Sequence, residues 1–362
     1  MVVFGAGASY DSSPDYPPTE QDVHSSIEGG GFYLRGVRPP LANQLFELRP
    51  IFASAAQKIP KCRLILGQLR DMSSDMSVEQ ELERLRERSL NYPEGRRQLL
   101  SIQFYLQWTI GECQSEWNRR TYSHTTYQGL LGQIDRRLKG EQVCLVTFNY
   151  DTLIEEAFVS LGKGFRSLDD YISKDDYKII KPHGSVNWAR ELTEPKEADK
   201  LDHLQMANDL IAQAETLQAS NKYHQIPDSD RSPNGQWIVS HMLIPGKPGH
   251  QAVLPAIAIP LEKKTEYECP PGHVQALEQC ISKTDKLLII GWKAAEEHFV
   301  KLLAKGLSKE IPKMIVSSGR DSAGRIKDTL QSFGVDGAGW LFGESGFTDA
   351  VRSGRIENFI SR

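Results

Sequence analysis

Five short stretches carry residue types that could do chemistry at one shared surface. Gly5-Ala6-Gly7-Ala8-Ser9 is a glycine turn with a hydroxyl. Thr147-Phe148-Asn149-Tyr150-Asp151 closes an apolar run with an amide and a carboxylate. His183-Gly184 follows Pro182, and Gly291-Trp292 and Ser317-Ser318 end two further apolar runs. Glycines after a strand let a backbone approach a pyrophosphate, with nearby amides aimed at its oxygens. An imidazole with an ordinary pKa of about 6.5 can act as a base at neutral pH. Each signal also has a plain structural reading. The glycines suit any tight turn, Asn149 or Asp151 could cap a helix starting near Thr152, and a lone His-Gly pair is more often a turn.

The elements around these stretches say where they would sit. "MVVF" and "QVCLVTF" are short buried strands, and "YKIIKPHGSVNW" reads as a strand running into a turn. From about residue 272 the text alternates helix, "KLLIIGW", helix, "KMIVSS", helix, "GWLFG" and a last helix. Such alternation predicts an α/β fold, a Rossmann-like parallel sheet with helices on both faces. Ligands of such sheets bind beyond the carboxyl ends of the strands. All five stretches are strand ends, so a single sheet would gather them in one crevice.

Between the first two strands, residues 41–139 read as a large inserted helical block. Leu99, Ile102, Leu106, Ile110, Cys113 and Trp117 recur at three and four residues, an amphipathic stripe. Ser77 with Gln80 gives a capping-box pattern, and a further helix is expected over 127–138. Residues 10–40, rich in Ser, Pro, Gly and Asp, are expected to form a mobile loop over a site. A helix is expected over 197–219 and a disordered loop over "SNKYHQIPDSDRSPNGQ", with extended segments at "WIVSHMLIP" and "AVLPAIAIP". The domain expectation is one unit over 1–362, with 41–139 and 193–235 as insertions.

Composition narrows the class. Hydrophobic residues make up 39% of the 362 and charged residues 25%, ordinary for a soluble globular protein. A net charge of −4 gives no electrostatic reason for non-specific nucleic-acid binding. No apolar run approaches the ~20 residues of a membrane span, and "MVVFGAGASY" does not read as a signal peptide. The five cysteines are scattered, with no C-x-x-C pair, which suits a reducing cytoplasm and argues against a four-cysteine zinc site. Cys144 reads as core. His241, His250 and His273 show no metal-ligand spacing. Trp188, Trp237 and Trp292 could stack on a base, though packing is the commoner use of such residues.

Taken together and in this order, the motifs resemble the sirtuin-like family. In that family a G-A-G-x-S turn binds the phosphates of NAD, here Gly5, Ala6, Gly7, Ala8 and Ser9. A motif near T-x-N-x-D holds the nicotinamide side, here with Phe148, Asn149 and Asp151. An H-G dipeptide supplies the catalytic base, here His183. Later strand ends contact ribose and adenine, here Gly291, Trp292, Ser317 and Ser318. "PPLANQLF" (39–46) and "IGWKAAEEHF" (290–299) also resemble the prokaryotic branch that destroys NAD in anti-phage defence by abortive infection.

The resemblance implies an NAD glycohydrolase with NAD as substrate and no metal. It implies catalysis by Asn149 and His183, assembly as a homo-oligomer, and a partner such as a HerA-type ATPase. Protein-deacylating sirtuins usually carry a four-cysteine zinc module, absent here, and glutamine where Phe148 stands. "SSPDYPP" echoes their G-I-P-D-F-R but is displaced by one residue and lacks the arginine. Two alternatives remain: a non-catalytic sensor of NAD or an ADP-ribose derivative, and a protein deacylase.

Overall fold

Short apolar strands need cover on both faces, and here they obtain it from helices that follow them in the chain. The computed structural model describes residues 1–16, 18, 36–71, 78–89, 92–198, 202–227, 237–260, 267–337 and 339–361. Most of the expected loop over 10–40, and Ser77 of the expected capping box, lie outside them.

In chain order the chain forms β1 (Val2–Phe4), α1 (Ala6–Tyr10), α2 (Pro50–Lys58), α3 (Arg63–Arg70), α4 (Val78–Ser89), α5 (Pro93–Thr121) and α6 (Thr126–Arg137). Next come β2 (Val143–Thr147), α7 (Leu153–Ser160), α8 (Asp170–Ser173), β3 (Tyr177–Ile180), β4 (Gly184–Leu192), α9 (His203–Ala212) and β5 (Ala219–Gln225). The remainder is β6 (His241–Leu243), β7 (His250–Ile257), α10 (Pro271–Ser282), β8 (Leu287–Ile290), α11 (Glu297–Gly306), β9 (Lys313–Val316), α12 (Arg320–Ser332), β10 (Trp340–Gly343), α13 (Gly346–Arg352) and α14 (Arg355–Ser361).

The chain divides into two compact units: Met1–Leu41, Glu116–Pro182 and Pro271–Arg362 form one, Ala42–Ser115 and His183–Pro270 the other. These boundaries do not follow the expected insertions. Residues 42–115 fall in the second unit, and α5 crosses a boundary. Helix α6 belongs to the first unit.

The first unit holds the six-stranded sheet β10-β9-β8-β1-β2-β3, all parallel. Register puts Val3, Val146 and Ile289 side by side, and Phe4, Thr147 and Ile290 one step on. Side chains alternate across a strand, so the two sets face opposite layers. Val3, Val146, Ile289 and Ile315 pack with Leu277 of α10, Phe299 of α11 and Ile326 of α12. On the other face the Phe4 ring meets Tyr127 of α6 at 5.5 Å and Phe347 of α13 at 6.4 Å. Each fully buried aliphatic or aromatic side chain contributes roughly 1.5–3 kcal/mol over exposure. The Rossmann-like α/β fold with both faces covered is therefore present.

The second unit carries the four-stranded sheet β5-β4-β7-β6, antiparallel throughout. The sequence reading needs two corrections here. Helix α9 is shorter than 197–219: Asp202 caps it, accepting from Gln205 N at 2.6 Å. Upstream the chain is drawn to β7, with Ala252 N donating to Lys196 O at 2.7 Å. "SNKYHQ" is part of edge strand β5 instead of a loop, and its polar text reflects pairing on one side only. Trp188 is fully buried. Trp237 packs over Gly111, where an added Cβ would meet its ring at 2.4 Å, and its Nε1 donates to Ser115 Oγ at 2.9 Å.

One buried carboxylate in the first unit sets a pH dependence. Asp11 Oδ2 accepts from Thr348 N at 3.1 Å, and Thr348 Oγ1 donates to Asp11 O at 3.0 Å. Burial raises the Asp11 pKa, against the hydrogen bonds from Thr348. A carboxyl whose folded pKa is raised holds its proton more tightly when folded. Its stabilising contribution is complete below the unfolded value of about 3.9 and is lost as pH rises through the folded value. Asp11→Asn removes this loss. Denaturant unfolding of both proteins should show the variant gaining on the parent as pH rises from about 4 to about 7. A difference independent of pH would contradict the assignment.

Candidate active site

The glycine turn exists because two strand ends touch. Gly5 N donates to Ile290 O at 3.1 Å and Gly7 N to Gly291 O at 3.0 Å. A Cβ on Gly5 would lie 2.6 Å from Trp292 Cα. Gly291 has φ +60, and a Cβ there would lie 2.2 Å from Ala8 N. Only glycine fits so close an approach. The amides of Gly5 and Gly7 are taken by these bonds, and Ala8 N donates to Gly5 O at 2.9 Å. These three amides therefore serve the turn. Ala6, Gly7 and Gly291 keep some exposure at the rim, while Ala8 and Ser9 are buried.

The end of β2 places its polar groups beside this turn. Asn149 Nδ2 donates to Ser9 Oγ at 2.8 Å and lies 3.4 Å from Tyr127 Oη. Ser9 Oγ and Tyr127 Oη are 3.0 Å apart. This fixes the amide's orientation: the NH2 is held by Ser9, and Oδ1 is left buried with no hydrogen-bond partner. A buried acceptor in that state is costly unless something meets it. The Tyr127 hydroxyl pKa is raised by burial, with the Asp151 charge adding to it, so Tyr127 stays neutral. Tyr127→Phe removes one partner of the Ser9–Asn149 pair and should cost about 1 kcal/mol in denaturant unfolding. An unchanged midpoint would contradict this.

Asp151 does two things. Its Oδ1 accepts from Leu153 N, the first amide of α7, at 3.2 Å, and the cap residue of that helix, Thr152, makes no side-chain capping bond. Burial raises its pKa, while the Lys181 charge and a hydrogen bond from Ser9 lower it. Lys181, fully buried at the end of β3, donates to Asp151 O and, at 2.8 Å, to Glu155 Oε1. Tyr171 Oη donates to the same Glu155 oxygen at 3.2 Å. This ion pair pins the loop bearing Asn149 and Asp151 from below.

The other expected site residues divide. Gly291 N donates to Val316 O at 3.0 Å, so the ends of β9, β8, β1 and β2 form one continuous rim. Ser317 lies on it, its hydroxyl donating to Gly319 O at 2.8 Å, and Ser318 is exposed. Phe148 and Trp292 follow neighbouring strand ends, but their rings stack on each other at 5.4 Å and 11° within the core, and Phe148 N donates to Phe4 O at 3.0 Å. His183 opens the second unit instead. It is buried, and its carbonyl accepts from Ala258 N at 2.9 Å. Gly184 has φ +74, and a Cβ there would lie 1.9 Å from Ala256 O. The His-Gly pair thus has a glycine that the β4–β7 contact demands.

Sequence reasoning missed Tyr127, Lys181 and Glu155. The available signal for Lys181 was a lysine directly after the apolar "YKII" and before proline. Tyr127 carried none beyond opening a helix. Among the described residues no group of three or more His, Cys, Asp or Glu could hold a metal ion, and no helix is long and apolar enough to cross a membrane.

No protein-family model matches the chain, and no curated protein matches it. Among solved structures it is similar to a mutant Sir2 homologue in complex with 2′-O-acetyl ADP ribose: TM-score 0.40 and 13% identity, covering 98% of this chain and 91% of that chain. It is also similar to a Sir2 homologue–NAD complex, with TM-score 0.37 and 12% identity over 98% of this chain and 89% of that one. A third, Sir2Tm bound to a propionylated peptide, gives 0.34 and 14% over 68% and 79%. These are distant likenesses, and the roles of individual residues rest on the geometry and motifs of this chain.

Proposed function

We propose that the protein hydrolyses NAD to nicotinamide and ADP-ribose, and that this depletes NAD as an anti-phage defence effector. The observation that carries the reading is the Asn149 amide. It sits at the carboxyl end of β2, locked by Ser9 of the glycine turn, with a buried and unpaired Oδ1. The order of G-A-G-x-S, T-x-N-x-D and H-G along the chain supports it.

The chemistry asks little of the protein beyond placement. The bond from the anomeric carbon to nicotinamide breaks, its electron pair neutralises the pyridinium nitrogen, and no general acid is needed. The sugar becomes oxocarbenium-like. Water attacks it, and its proton must leave. Asn149 Oδ1 accepts a hydrogen bond from that water, because its NH2 is committed to Ser9. Asp151 orients the carboxamide end, and its backbone is held by Lys181. Gly5, Ala6, Gly7, Ala8 and Ser9 bound the phosphates, and Gly291, Trp292 and Ser317 the adenosine side. His183 is assigned the base on its motif, and His183→Ala should cut turnover by about 10²–10⁴-fold. Fixed geometry of this kind supplies much of an enzyme's acceleration. Assembly as a homo-oligomer, and control by a HerA-type ATPase partner in the cytoplasm, complete the proposal.

The test is incubation of purified protein with NAD, followed by chromatography. Equimolar nicotinamide and ADP-ribose without any peptide is expected. Binding without nicotinamide release would identify a sensor. Acyl-ADP-ribose formed only with an acylated peptide would identify a deacylase.

A further inference from the structure

Arginines are rarely buried in full unless their charge is met. Arg38 is only 2% exposed. Its guanidinium lies between two aromatic rings, 4.7 Å from the centroid of Trp117 and 5.1 Å from that of Tyr10. Such contacts strengthen when water is excluded. The planar fork is turned on the backbone: Nη1 donates to Tyr10 O at 2.7 Å and Nη2 to Tyr16 O at 3.0 Å. Tyr10 ends α1, a helix of only five residues, so its carbonyl has no partner within the helix. The front of α1 is set by the bonds of Gly5 and Gly7 to β8 and its following glycine. The rear is set by Arg38 and by the grip on the next residues. Thr348 Oγ1 donates to Asp11 O, Trp117 Nε1 to Ser12 Oγ at 3.0 Å, and Thr126 N to Ser12 O at 2.7 Å. All of these residues lie in the first unit. Ser9 stands between the two ends, one residue before Tyr10, with its hydroxyl on the Asn149 amide.

We propose that Arg38 is a positioning residue for NAD cleavage: by clamping the carbonyls of Tyr10 and Tyr16 it fixes the rear of α1, and with it the Ser9 hydroxyl that orients Asn149. This role rests on the NAD reading above. Arg38 acts at a distance, because it is buried and each of its terminal nitrogens is committed to a carbonyl. Lysine cannot take its place. An ammonium is a point charge on a flexible stem, without the flat fork that spans two acceptors while stacked between rings. Loss of the clamp lets the last turn of α1 move. A shift of about 1 Å at a catalytic group, caused from outside the site, can cost about 10²-fold in rate.

The test compares the full chain with Arg38→Lys, which keeps the charge, and with Trp117→Phe, which keeps a ring but removes the indole donor. Turnover is followed as nicotinamide release from NAD, and the backbone by amide hydrogen exchange, at a temperature where circular dichroism shows each protein folded. Arg38→Lys should lower kcat by about tenfold to a hundredfold, and Trp117→Phe should lower it by less. In Arg38→Lys the amides of Ala8 and Asp11, bonded to Gly5 O and Gly7 O, should exchange at least about tenfold faster, while those of Phe148 and Gly291 keep their protection. In a Ser9→Ala background the effect of Arg38→Lys on kcat should shrink to within about threefold, because the hydroxyl through which it acts is gone. A general loss of stability would multiply with Ser9→Ala instead. Parental kcat in both variants overturns the proposal, as do multiplying losses or unchanged exchange at Ala8 and Asp11. If Arg38→Lys does not fold, Trp117→Phe carries the same readouts. A parent chain that releases no nicotinamide ends the NAD reading, and the exchange rates then decide alone whether Arg38 holds α1.

Discussion

Asn149→Ala should lower nicotinamide release from NAD by about 10²–10⁴-fold, the span typical of losing one positioned polar group at the reacting centre. The amide is a donor to Ser9 on one side and an unpaired acceptor on the other. Removing it deletes the acceptor proposed to meet the attacking water. Its loss to stability should be small, about 1 kcal/mol, because only the bond to Ser9 and the long one to Tyr127 disappear. The two readouts therefore separate: a large fall in turnover with a small fall in unfolding midpoint. Asn149→Asp tests the orientation argument. A carboxylate cannot donate to Ser9 Oγ as the amide does, so the oxygen that faces the water is no longer fixed, and turnover should stay low. Parental turnover in Asn149→Ala would remove Asn149 from the mechanism.

The second large effect is on stability. Lys181 is fully buried, and Glu155 is nearly so. Their ion pair at 2.8 Å neutralises both charges, with Asp151 O and Tyr171 Oη adding hydrogen bonds, while Glu155 Oε2 stays buried with no partner. Removing one partner of a buried pair strands the other charge, which costs about 3–5 kcal/mol. Lys181→Met should lose that much in denaturant unfolding and loosen the loop carrying Asn149 and Asp151. Lys181→Met with Glu155→Gln should recover most of it. The neutral amide oxygen can still accept from Tyr171, and neither member of the pair then carries a charge, while Asp151 still loses the Lys181 charge beside it. The two substitutions are in direct contact, so their effects should be strongly non-additive. Additive losses would mean that the pair does not hold the loop.

The parallel sheet was legible because its strands are short apolar runs that stop at glycine, asparagine or serine. Phe4 before Gly5, Thr147 before Asn149 and Ile290 before Gly291 all mark true strand ends. The neighbouring glycines followed from one physical fact, the approach of β1 and β8. What was not legible depends on partners far away in sequence. Strand β5 is polar because it is an edge, and only its pairing with β4 makes it a strand. Residues 196–198 leave the helical pattern because β7 draws them away. The role of Lys181 rests on Glu155, 26 residues earlier, and that of Tyr127 on Ser9, 118 residues earlier. The transfer of the chain to another unit between Pro182 and His183 has no local signal beyond the proline.

The central claim is that the ends of β9, β8, β1 and β2 form the binding site for a dinucleotide. A crystal structure of the protein soaked with ADP-ribose tests it most directly. The account predicts the pyrophosphate against Gly5–Ser9, the free ribose within hydrogen-bond reach of Asn149 Oδ1, and the adenosine along Gly291 and Ser317. ADP-ribose bound elsewhere on the chain, with Asn149 Oδ1 still unmet, would contradict it.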